Sequence, residues 1–486
     1  MNVEQELLIS VSPGEARCAV REDGRIVELV VERARSGPQP GDLFLGRVAR
    51  IVPGANAGFV DIGDGVQLFL PAREARAGIN PDGTPHKAAK GVDISGLVTE
   101  GQALILQVRR ASSGGKSAKA TLRAALAGHH LVLTPSAGGA EISPRITGPG
   151  ERDRLEAFAK QFAGEGPGLI VRTSAAEAHD DDLRREAEAL QARWRAILKA
   201  AGEKRAPAPL EREPGPLVRI LRERAGPSIT RILIDNHAAL APARAYLEQI
   251  EPALAEHLEI ADDGPNLFET EGVEDCFEQV VARTVPLAGG GSLEIEATAA
   301  LTAIDVNTGG RAGSAQGRVI LETNIEAAEL IAEQIRLRNL GGLIAVDFVH
   351  MQGRADREKV GEAIRKAARR DPVETRVGGF TRFGLVEIVR RRTRTPLLET
   401  LTEQAENGGR NLSAETLALA SLRAVLRGAK DYPGKPLRLR TAPAVADALA
   451  GPLADARGEV EAALGLYIDL EVDASSHQEF FEVRPS

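Results

Sequence analysis

Three side chains near strand ends carry the sharpest chemistry in the sequence. In ALTAIDVNTGG, residues 300–310, strand alternation sets Asp305 and Asn307 on one face, about 7 Å apart. In GGLIAVDFVHM, residues 341–351, Asp347 interrupts an apolar run near its carboxyl end. Two carboxylates at neighbouring strand ends would converge on the crevice where α/β sheets bind ligands. A buried, isolated carboxylate is costly, and a divalent cation is an economical partner for two of them. Magnesium commonly takes one or two carboxylates plus phosphate oxygens. Either aspartate could equally cap a turn or pair with an arginine. The run 376–394 holds Arg376, Arg382, Arg390, Arg391, Arg392 and Arg394 against Glu387, which makes it either a solvated face or a basic rim for a polyanion.

A second set of residues could hold bases. Aromatic residues make up only 3% of the chain, so an outward ring is informative. In GFVDIG, Val60 and Ile62 share one face and Phe59 and Asp61 the other; in VQLFLP, Leu68 and Leu70 oppose Phe69 and Gln67. Two outward phenylalanines on adjacent strands make a stacking platform; a tighter twist would bury both instead. Arg109, Arg110, Lys116, Lys119 and Arg123 suit a phosphate backbone beside it. GGKS at 114–117 is not a P-loop, because Arg110 stands where that motif needs glycine. Asp235 in ILIDN has no second acidic strand end near it and reads as structural. His129, His130 and His350 lack metal-ligand spacing with cysteine or with one another, and read as satisfied core or surface histidines.

The elements that must position these residues suit a multidomain chain of mixed α/β and α+β class. With 486 residues, 43% hydrophobic and 27% charged, the chain can bury large cores. Its net charge of −8 excludes a uniformly basic coat. Cys18 and Cys276 support neither a disulfide framework nor a cysteine zinc site, which fits a cytoplasmic protein. No apolar stretch is long enough for a membrane span. Residues 1–36 read as short strands up to the boundary SGPQPGD. Five β-rich stretches between Leu43 and Leu122 suit a small five-stranded barrel. A helix is expected from about Asp182 to Ala200, with Trp194 in its apolar stripe, and the prolines of 203–216 mark a linker or extended excursion. From Val280 the pattern becomes βαβ-like. Helices are expected over Arg318–Asn339, with a stripe of Leu321, Ile325, Ala328, Ala332 and Ile335, and over Arg354–Arg370. Residues 413–486 read as a small α+β module.

Taken together, GFVDIG, GLIVRT, ILIDN, ALTAIDVN, EAAELIAEQIRLRNLGGLIAVDF and FTRFGLVEI, in this order, resemble the ribonuclease E/G family over nearly the whole chain. The resemblance implies an RNase H-like fold in two parts, 1–36 and 216–279, with an oligonucleotide-binding barrel (37–125) and a 5′-phosphate sensor subdomain (126–215) inserted. A DNase I-like catalytic domain (280–398), a linker (399–412) and a small C-terminal domain (413–486) follow. It implies that Asp305 and Asp347 bind magnesium, with Asn307 as the third catalytic residue. It further implies that Arg172 and Thr173 bind a 5′-monophosphate, and that Phe59, Phe69 and Lys116 contact RNA. Many relatives carry a CPxC motif that joins protomers through zinc; here RRRTRTPLLETLTEQAENGG contains no cysteine. Zinc is therefore not expected, and a homodimer would form without a zinc link, through residues such as Leu397, Leu398 and Leu401. His350 stands where relatives often have a second aspartate. The chain looks closer to the shorter ribonuclease G type.

The reading that follows is a magnesium-dependent endoribonuclease of single-stranded RNA, acting in mRNA decay and in RNA processing, rRNA processing included. The alternative is a catalytically inactive RNA-binding regulator of the same fold, against which Asp305, Asn307 and Asp347 argue. A DNA nuclease fits less well, because stacking rings on a barrel suit flexible single strands.

Overall fold

The computed structural model of the chain describes residues 4–486 apart from 35–36, 88–90, 111–116, 164–165, 177, 227, 263–265, 299, 310–315 and 406–408. They fall into two compact units, Met1–Arg33 with Ser228–Leu240 and His257–Ser486, and Ala34–Pro227 with Ala241–Glu256. No described helix is long and apolar enough to cross a membrane.

In the first unit, Gln5–Ser12, Glu15–Glu22 and Arg25–Arg33 form an antiparallel meander, extended by Ile229–Ile234 and Leu258–Ile260, which run parallel to the first strand. Asp235 ends one of these strands and is spent on structure. Its Oδ1 accepts the amide of Val11 at 2.8 Å, and burial pushes its carboxyl up to about 6.

The same unit contains a six-stranded sheet in the order Thr284–Pro286, Ser292–Ala297, Thr302–Asn307, Gly342–Asp347, Leu385–Arg390 and Thr375–Phe380. The expected βαβ crossover is present: Thr302–Asn307 and Gly342–Asp347 pair in parallel across the helix Gln316–Leu337. That helix and Arg354–Ala368 pack on one face, where Ala327, Ala328, Ile331, Ile335, Val360 and Ile364 meet Ile304, Val306, Ile344 and Val346. Ala303, Asp305, Asn307, Leu343 and Asp347 are exposed, as strand alternation requires of the opposite face. The expected helical stripe is rotated, since Leu321, Ile325 and Ala332 are only half-buried. At the C-terminus, Leu437–Thr441 pairs with Ile468–Val472 and Phe481–Pro485 beneath three helices, giving the α+β module.

The second unit contains the barrel. Leu43–Val52, Ala57–Asp61, Gln67–Pro71, Lys119–Thr121 and Ala103–Arg110 follow one another around it, and the last pairs back on the first to close five strands. Gly46 permits the closure, because a Cβ there would lie 2.6 Å from both Leu106 and Val60. The proline-rich excursion is extended, as expected, and Ala208–Glu211 pairs with Leu43–Val52 at the barrel edge. Beyond the barrel, Leu126–Ala127, Leu131–Thr134, Gly168–Val171 and Ala140–Ile142 make a four-stranded sheet. The helix Asp180–Glu203 supplies Leu183, Ala187, Leu190, Trp194 and Ile197 to a core shared with that sheet, so the single tryptophan is structural.

Candidate active site

Parallel pairing places Asp305 directly opposite Asp347, with Cα atoms about 4.8 Å apart. Asn307, two residues along the same face, donates from Nδ2 to Asp305 Oδ2 at 3.0 Å. The three side chains singled out from sequence therefore converge, although both carboxylates are exposed. Desolvation does not call for a cation here, because both carboxylates are exposed among the described residues. Like charges held side by side on adjacent strands are the remaining cause. Glu294 faces Asp305 from the third strand, but Thr284 Oγ1 at 2.6 Å and Arg283 Nε at 3.3 Å engage its two oxygens. The oxygen-rich, water-accessible donor set of Asp305 and Asp347 suits a hard ion such as magnesium.

What holds Asp347 in place was not visible in the sequence. Asn324, from the covering helix, is 0% exposed. Its Nδ2 donates to the Val349 carbonyl at 2.8 Å and its Oδ1 accepts the Val349 amide at 3.1 Å. This clamp, two residues beyond Asp347, explains why the buried stripe turns toward Asn324. Asn324→Leu leaves both backbone groups unpaired, so the unit should lose about 2–4 kcal/mol of stability and cleavage should fall. Denaturant unfolding measures the first; wild-type stability in this variant would refute the clamp.

The arginine run divides. Arg390 is buried and donates to Asp371 at 2.6 Å, to Asn339 Oδ1 and to the Leu340 carbonyl. Arg376 pairs with Glu374, and Arg394 with Glu28. Arg382, Arg391 and Arg392 are exposed, so the basic rim is smaller than the sequence suggested. Between the last two strands of the sheet, Phe383 is 89% exposed. It lies two residues before Leu385, the partner of Asp347 across the sheet. In a chain with 3% aromatic residues, its scarcity is the one signal the sequence carries. His350 is exposed after the Asp347 strand.

On the barrel the outward rings are where alternation puts them. Phe59 and Phe69 are directly opposed, half-buried, with centroids 5.7 Å apart and planes at 66°. Val60, Ile62, Leu68 and Leu70 fill the core beneath. Arg50 lies 4.5 Å above the Phe59 ring, and Lys119 pairs in register with Phe69. Arg109 is committed to Glu74 at 2.9 Å. Lys116 lies outside the described residues.

Arg172 follows the strand Gly168–Val171, and Thr173 opens the short turn after it. Arg172 donates from Nη1 to the Gly128 carbonyl at 2.7 Å and from its backbone amide to the His130 carbonyl at 2.8 Å. Burial lowers its guanidinium below the usual arginine range. Thr173 Oγ1 is exposed and 2.9 Å from Ser143 Oγ. Beside them, His129 and His130 are almost fully buried, with rings 4.3 Å apart. Burial drops His129 to about 3 and His130 to about 4, so both are neutral at pH 7. Glu186 accepts the His130 amide at 2.9 Å, and burial raises its carboxyl to about 7.

Leu397 and Leu401 lie in the first unit's own core with Phe268 and Phe277, so they offer no apolar surface to a second copy. The stretch read as a linker, 399–412, contains a short hairpin of Thr402–Gln404 and Arg410–Leu412.

Comparison with known proteins shows the family. The family model for the Ribonuclease E/G family matches residues 125–393. The chain is 33% identical to ribonuclease G of Haemophilus influenzae, over 98% of this chain and 99% of that protein. It is 32% identical to ribonuclease G of Escherichia coli K12 over the same shares. It is 35% identical to ribonuclease E of a Nostoc species, over 77% of this chain and 54% of that protein. The Asp305–Asp347 pair lies within the matched region, and the match to ribonuclease G runs nearly end to end: the chain belongs to the ribonuclease E/G family, as a ribonuclease G-like member.

Proposed function

We propose that the protein is a magnesium-dependent endoribonuclease that cleaves single-stranded RNA and senses a 5′-monophosphate, in RNA processing and mRNA decay in the cytoplasm. The observation that carries the reading is the in-register Asp305–Asp347 pair on an exposed sheet face, with Asn307 bonded to Asp305. Asp305 and Asp347 would hold the ion, which supplies charge neutralisation at the scissile phosphate and an activated water. Asn307 fixes the rotamer of Asp305 through its amide. Phe383 offers a stacking face beside the cut site and Arg382 a phosphate contact. Phe59, Phe69 and Lys119 would hold the RNA at the barrel, with Lys116 assigned there by family resemblance. In domain terms, we read the meander sheet and its parallel extension as the RNase H-like part and the six-stranded sheet as the DNase I-like part. A homodimer without a zinc link remains part of this proposal. Incubating the protein with a 5′-monophosphorylated oligoribonucleotide should give internal cuts with magnesium and none after EDTA. Undiminished cutting in EDTA would refute the assignment of the ion.

Arg172 and Thr173 would take the 5′-phosphate, a guanidinium and a hydroxyl suited to its oxygens. Arg172→Ala should slow cleavage of 5′-monophosphorylated RNA about ten-fold or more, the worth of one charge-assisted contact, while 5′-hydroxyl RNA is cut at the wild-type rate. Equal losses on both substrates would assign Arg172 to folding instead.

A further inference from the structure

Beside Arg172, His129, His130 and Glu251 bring three potential ligand atoms together. One nitrogen from each of His129 and His130 and one carboxylate oxygen of Glu251 lie within 4.8 Å of one another. His129 Nε2, His130 Nδ1 and Glu251 Oε2 are all buried and have no hydrogen-bond partner. The tautomer of His129 follows from its other nitrogen. Nδ1 lies 2.9 Å from the Arg222 carbonyl, which can only accept, so Nδ1 carries the proton and Nε2 presents its lone pair. A ligating histidine is held in this way, its second nitrogen donating to a backbone carbonyl. Glu251 stands at the N-terminus of the short helix Pro252–Ala255.

We propose that His129, His130 and Glu251 bind one divalent transition-metal ion of borderline softness, for which zinc is the probe. Two imidazoles and a carboxylate are a zinc donor set that leaves a fourth position for water, and nitrogen donors disfavour magnesium. Tetrahedral zinc ligands stand about 3.4 Å apart, given bond lengths near 2.0–2.2 Å. The widest pair therefore closes by no more than about 1.4 Å, a side-chain adjustment. Arg172 is the cation that opposes the ion, and Glu251, Asp182 and Glu186 are the carboxylates that offset it. The expectation that this chain lacks zinc rested on its cysteines, and this site uses none. It is also separate from the magnesium carboxylates in residues and in donor type.

The test is a zinc titration of the EDTA-dialysed full-length protein, with magnesium in excess, read by metal analysis and by thermal unfolding. Wild type should hold about one zinc per chain and melt higher with it. Glu251→Gln, at a half-buried position, should weaken zinc binding more than about ten-fold. Asp347→Asn and Cys276→Ser should bind as wild type does. Because the histidines are buried, cobalt(II) bound to wild type gives a readout that needs no variant: visible d–d bands of a four-coordinate nitrogen and oxygen site, displaced by zinc. Absence of stoichiometric zinc, absence of those bands, or binding unchanged in Glu251→Gln would each overturn the proposal.

Discussion

Asp347→Asn should lower the cleavage rate about a thousand-fold or more, which corresponds to roughly 4 kcal/mol of barrier, while RNA affinity changes by only a few-fold. The substitution keeps the size of the side chain and removes one of the two charges that face each other across the strands. With one carboxylate left, an exposed site of this kind loses most of its hold on a divalent ion. RNA binding should survive because stacking and phosphate contacts on the barrel do not pass through the carboxylate. Asp305→Asn should behave alike, and the hydrogen bond that Asn307 Nδ2 now donates to the carboxylate would lose its charge assistance. Single-turnover cleavage and filter binding on the same RNA separate the two quantities. Near-normal magnesium-dependent turnover in either variant would remove the pair from the catalytic role.

The parts of the site governed by strand period were legible in the sequence. Alternation alone sets Asp305 beside Asn307 and turns Phe59 and Phe69 away from Val60 and Leu68, and it needs no knowledge of what lies across the sheet. Which face is covered is a tertiary fact that alternation does not carry. The desolvation cost expected of the carboxylates does not arise, since both helices lie on the other face. Hydrophobicity alone points the apolar stripe of the long helix through Leu321, Ile325 and Ala332. The helix is turned instead so that Asn324 meets the two backbone groups of Val349, a pair of hydrogen bonds that no periodicity shows. The arginine run is continuous in the sequence, whereas burial of Arg390 against Asp371 and Asn339 divides it. His129 and His130 have no metal-ligand spacing in the sequence. Their third neighbour, Glu251, comes from a distant helix junction, and spacing rules see only local chelates.

Removing the barrel's rings should cost affinity where removing the carboxylates does not. Phe59→Leu and Phe69→Leu keep apolar bulk over Val60 and Leu68 but lose the π-face, so each should weaken single-stranded RNA binding by up to about 1–3 kcal/mol, roughly 5- to 150-fold. The double variant should lose less than the sum of the two. The rings touch edge to face at 5.7 Å, and Arg50 rests on Phe59, so the first substitution already loosens what the second removes. The salt dependence of binding should keep its slope, because no phosphate contact is deleted. Cleavage at saturating RNA should remain close to wild type, which distinguishes a binding platform from the chemistry at Asp305 and Asp347. Additive losses would mean that the two rings stack separate bases without influencing one another. Unchanged affinity in both single variants would place the RNA elsewhere and leave the pair as a hydrophobic cover on the barrel.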